Sequence, residues 1–116
     1  MTTDETTAEE TGTSEREATA RRELRRAHRD KREAQLRELS ARLDLLEAKA
    51  QRAKADARIR YEEEIGKVRE KLDTARVKLS LLQDAGEQAW EDVRGGLDEA
   101  MSDLRDAFRR ASSRFE

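Results

Sequence analysis

The chain is predicted to be all-α, and three observations carry that prediction. Of its 116 residues, 45% are Asp, Glu, Lys or Arg, yet 25 basic and 27 acidic side chains nearly cancel. Intermixed signs with abundant Ala, Leu, Glu, Arg and Lys are the composition of long helices rather than of disorder, which goes with a large net charge. Proline is absent, and no interior position interrupts a helix in the way that residue would, by about 3 kcal/mol. Apolar residues recur every three or four positions and never alternate, so no sheet is expected.

Residues 1–19 hold six acids against Arg16, a local charge of −5 with no apolar stretch, and read as a disordered, solvated acidic tail. Ser14 and Glu17 have capping-box spacing. No secretory signal is expected from so acidic a tail and no segment approaches the ~20 apolar residues of a membrane span, so a cytoplasmic location is expected.

A long helix is expected over residues 20–84, with a basic start. Arg21, Arg22, Arg25, Arg26, Arg29, Lys31 and Arg32 stand against Glu23 and Asp30, a charge of +5 beside the acidic tail. The arginines form a candidate anion patch. Downstream, Leu39, Leu43, Leu46, Ala50, Ala53 and Ala57 alternate spacings of four and three, the pattern of a coiled-coil seam. Spacing becomes four and four through Tyr61 and Ile65, then Val68, Leu72, Ala75, Leu79 and Leu82 resume the repeat. That irregularity reads as a stutter within one continuous helix. Glu33 to Arg37, Glu38 to Arg42, Asp56 to Arg60 and Glu63 to Lys67 are acid-first i,i+4 pairs, each contributing roughly 0.2 to 0.5 kcal/mol to the solvent face.

A break is expected at 84–88, where Gly86 would end one helix and Asp84 and Glu87 would cap the next. Residues 85–116 then form a C-terminal amphipathic helix. Trp90, Val93, Leu97, Met101, Leu104, Phe108, Ala111 and Phe115 fall within an arc of roughly 80°, too narrow for a domain core and suited to docking on one other helix. The stripe passes in phase through Gly95 and Gly96, which argues against a break there, and Gly66 lies opposite the seam. The two expected helices, roughly 97 Å and 42 Å long, are too unequal for a fully paired hairpin. Self-association of the seam into a homo-oligomer follows as the simplest way to cover it, with another helical protein as a further possible partner.

No constellation for covalent chemistry is present, and no enzyme, cofactor or metal is expected. His28 is the sole histidine and lies among arginines that cannot orient it as a base; the Glu-x-x-His pairing of carboxylate-bridged metal sites is missing, because Arg25 stands where the Glu would be. There are no cysteines and no Gly-rich phosphate loop. The basic block lacks interleaved aromatics, which disfavours nucleic acid. Trp, Phe and Met on one helical face also suit a bilayer surface. Residues 85–116 carry eight acids against five arginines, which anionic lipid repels, so peripheral lipid binding is the alternative reading.

Ala53-Lys54-Ala55-Asp56-Ala57 followed by Tyr61 and Ile65, then Leu79 and Leu82, then Ala89-Trp90-Glu91-Asp92-Val93 with Gly96, Ala100, Leu104 and Phe115, resemble a family of small bacterial coiled-coil stress-response proteins known from cyanobacteria and other bacteria. The likeness covers roughly residues 36–115. It implies a helical, non-enzymatic protein associated with salt, heat or other stress. The Arg-rich block departs from the more mixed Lys/Glu start expected of that family.

Overall fold

The computed structural model describes the backbone of residues 2–115 and the side chains of residues 12–115. It contains three helices, α1 (Thr2–Arg52), α2 (Ala55–Asp84) and α3 (Trp90–Arg114), with no strand among the described residues. Residues 1–31 and 32–116 form two separate units.

Within the first unit, the described residues 12–19 are helical, and Ser14 lies inside α1 instead of capping its start. Their solvated character is retained. None of the described side chains from 12 to 31 is buried, and Leu24 is 72% exposed. Local bonds support the helix: Thr19 Oγ1 donates to the Glu15 carbonyl at 2.9 Å and receives a bond from Arg22 at 3.2 Å.

The second unit is a three-helix bundle built from residues 32–52 of α1 with α2 and α3. Its core draws on all three: Leu36, Leu39, Leu43 and Leu46 from α1, Val68, Leu72, Ala75 and Leu82 from α2, and Leu97, Met101, Leu104 and Ala111 from α3. Cross-helix pairs fix the directions. Glu47 pairs with Arg69 and Ser40 with Arg76, so a step of seven back along α1 matches seven forward along α2, and these helices are antiparallel. Lys78 lies against Gly96 while Tyr61 stacks on Phe115 at 4.1 Å between ring centroids, which makes α2 and α3 antiparallel too. Helices α1 and α3 consequently run parallel, with Arg32 bonded to Asp98 at 2.7 Å.

The single helix expected over 20–84 is therefore corrected: it breaks at Ala53 and Lys54. Lys54 is extended, with φ −65° and ψ 155°, and Ala53 N–H bonds back to Ala50 at 3.1 Å. Arg58 reaches across the turn to donate to the Gln51 carbonyl at 2.8 Å, satisfying one of the acceptors left at the end of α1. Lys49 and Arg52 in the last turn of α1 and Asp56 in the first turn of α2 suit the two helix dipoles. Opening the helix forgoes a few backbone bonds, each worth about 1 kcal/mol net. Folding back buries four leucines of α1, at roughly 1.5 to 3 kcal/mol apiece, and burial wins. The turn also removes the length mismatch that argued against internal pairing.

Between α2 and α3 the chain leaves the helix from Ala85 to Ala89. Ala85, extended at φ −70° and ψ 132°, ends α2, and Gly86 has no positive φ, so it does not serve as the left-handed terminator expected of it. Ala89 rather than Asp84 or Glu87 stands at the N-cap position of helix α3, with no side-chain cap bond of its own. The helix runs unbroken through Gly95 and Gly96.

Candidate functional site

The residues expected to form an intermolecular seam face inward. Leu39, Leu43, Leu46, Ala50, Ile65, Val68, Leu72, Ala75, Leu79 and Leu82 are buried within one chain. Ala57 and Tyr61, at the irregular spacing, are half-buried, and Ala53 falls in the turn. Leu36, outside the expected seam, joins the core as its next turn toward the N-terminus.

The C-terminal stripe is likewise part of a core, which corrects the expectation that it was too narrow for one. Ala100 and Ala107 are buried beside Leu97, Met101, Leu104 and Phe108, and they widen the face enough to meet two helices. Ala100 and Ala107 add little apolar surface each, and their small size lets the helices approach closely. Trp90 is buried, while Val93 and Phe115 are half-buried at the edge.

Of the candidate anion patch, Arg21, Arg22 and Arg26 are exposed, and Arg25 and Arg29 are half-buried. Arg32 belongs to the bundle instead: its side chain is 14% exposed and bonds both Asp98 and Gln35. Asp98 also lies 3.7 Å from Arg94, whose guanidinium stands 5.7 Å from the Trp90 ring centroid. A parallel α1–α3 contact is thus fixed by one carboxylate between two guanidiniums. Arg32 was legible only as one more arginine of a run, because its role depends on a residue 66 positions away.

A groove of about 640 Å³ opens between α1 and α3. Leu39, Leu45, Leu46 and Phe108 form its apolar floor. Leu45 is 65% exposed there, next to buried Leu46 on α1. Arg42 and Lys49 from α1 and Arg105 and Arg109 from α3 stand along it, with Ser112 and Ser113 toward the end of α3. None of the lining residues is acidic. Arg42 is held by Glu38 at 2.9 Å and Arg109 by Asp106, each one turn earlier on its own helix. Arg42 and Lys49 stand seven residues apart on α1, and Arg105 and Arg109 four apart on α3 opposite. Sequence reading passed over this site because its walls come from segments more than fifty residues apart, and Leu45 sits off the heptad repeat.

Among the described residues, no group of three or more His, Cys, Asp or Glu side chains could hold a metal ion. No helix there is long and apolar enough to cross a membrane. The chain matches no family model, no curated protein and no solved structure.

Proposed function

We propose that this chain is a non-enzymatic helical interaction protein that engages its partner through the groove between α1 and α3. The observation that carries the reading is Leu45, a large apolar side chain 65% open to solvent at the mouth of an apolar groove. Such a groove, rimmed by polar groups, is the usual form of a helix-binding surface. The inward seam needs no second copy to cover it, which favours the groove over the heptad repeat as the recognition surface. The resemblance to bacterial stress-response proteins supports a setting in cytoplasmic stress adaptation. Peripheral lipid binding through the C-terminal stripe would require the bundle to open, since Leu97, Met101 and Leu104 have no exposed surface.

A photo-crosslinking residue placed at Leu45, compared with one at exposed Glu70 on α2, tests the reading in cells producing the protein. Discrete protein adducts from position 45 and none from position 70 are expected. No adduct from either, or the same adducts from both, would contradict it.

A further inference from the structure

We propose that the occupant of the α1–α3 groove is an acidic amphipathic helix of another protein. The inference rests on the groove being an interaction surface and goes on to specify the chemistry of what binds there. The lining divides into an apolar floor and four cations, with no carboxylate facing in. A helix presenting apolar residues at i, i+4 and i+7 matches the floor, and Asp or Glu on its flanks meets Arg42, Lys49, Arg105 and Arg109.

Dimensions agree. From Leu39 to Lys49 the α1 wall runs about 15 Å, close to three turns of a docked helix. Because α1 and α3 are parallel neighbours, a helix laid between them completes a four-helix arrangement with packing on both sides.

A second copy using the same face is disfavoured by charge. A two-fold axis through the groove would bring Lys49 and Arg105, which have no acid in the lining, against their own images and add the already paired Arg42 and Arg109 to the same side. The acidic N-terminal stretch of this chain has the right charge but the wrong floor contacts, since no large apolar side chain occurs between Met1 and Leu24. A single acyl chain is also a poor match, because Leu45 leaves the floor open to water and a lone chain would stay wet on one side. A helix brings its own covering wall.

The test uses two helix-stabilised peptides of about 18 residues with the same leucine pattern, one flanked by Glu and the other by Lys, titrated into the full chain by fluorescence anisotropy. The Glu peptide is expected to bind at least about tenfold tighter than the Lys peptide, and to weaken as salt rises. In Lys49→Glu/Arg105→Glu the preference should invert, while the melting temperature falls by no more than a few degrees, because both residues are exposed and the main loss is the favourable place of Lys49 in the last turn of α1. Leu45→Ser should weaken both peptides.

Equal affinity for the two peptides, or an unchanged preference in the charge-reversed variant, would overturn the acidic-helix assignment. So would sedimentation with phosphatidylglycerol vesicles that the double substitution abolishes, without peptide binding. If crosslinks from Leu45 persist while the peptides show no charge preference, the interaction surface stands and its partner chemistry falls. Loss of both removes the groove altogether.

Discussion

Residues 12–31 and residues 32–115 are both rich in charged side chains and largely helical, yet only the second region buries anything. In the first, every described side chain has solvent access and the bonds that hold the helix are local. In the second, leucines at three- and four-residue spacing from α1, α2 and α3 close on one another until Val68, Leu97, Met101 and Leu104 have no exposed surface. Helix propensity is common to both regions. Cooperative stability belongs to the one with a repeat of large apolar residues, because propensity alone contributes only tenths of a kcal/mol per residue.

The sharpest way to break this comparison is to truncate one leucine in each region. Leu72→Ala, inside the bundle, is expected to lose about 2 to 5 kcal/mol of unfolding free energy in a urea titration followed by circular dichroism. A loss below about 1 kcal/mol would mean that this part of the core is loosely packed. Next in size is Arg32→Ala, which removes the bond to Asp98 and is expected to lower stability by about 1 kcal/mol in the same titration, with Asp98→Asn similar. The double variant should lose less than the sum of the singles, since both remove one contact.

Glycine replacement sharpens the comparison in the opposite direction. An added Cβ at Gly95 meets nothing within 4 Å and the backbone is helical, so Gly95→Ala should raise stability by about 0.5 to 1 kcal/mol, a few degrees in calorimetric Tm. Gly12→Ala, equally free of clashes, should add helical signal and leave the main transition where it is. The smallest effect is expected from Leu24→Ala, within about 0.5 kcal/mol of the parent in urea, because the side chain is 72% exposed. A larger loss would show that residues 12–31 share the cooperative unit.

Much of the bundle was readable from apolar spacing, because heptad positions such as Leu43, Leu72 and Leu79 mark the inner face whether the partner helix comes from another chain or from the same one. What spacing cannot distinguish is those two cases. The turn at Ala53 and Lys54 carries no Gly or Pro; its only local marks are the switch from Lys49 and Arg52 to Asp56 and the alanine run around it. Irregular spacing at Ala57, Tyr61 and Ile65 was the trace of that turn, and it read equally well as a stutter in a continuous rod. Gly86 illustrates the converse, a conspicuous punctuation residue lying in a real break without adopting the conformation that would explain its choice. The groove was illegible for a related reason: Arg105 and Lys49 come to line one groove only when α1 and α3 run side by side.

The central claim is that the repeat folds back on itself within a single chain. Spin labels at Ser40 and Val77, diluted with excess unlabelled protein and measured by pulsed dipolar spectroscopy, test it most directly. Ser40 lies 3.0 Å from Arg76, so a short separation, about 10 to 20 Å between labels and insensitive to dilution, is expected. A peak near about 55 Å, the rise of a continuous helix over that span, or a short distance that disappears as unlabelled chain is added, would contradict it.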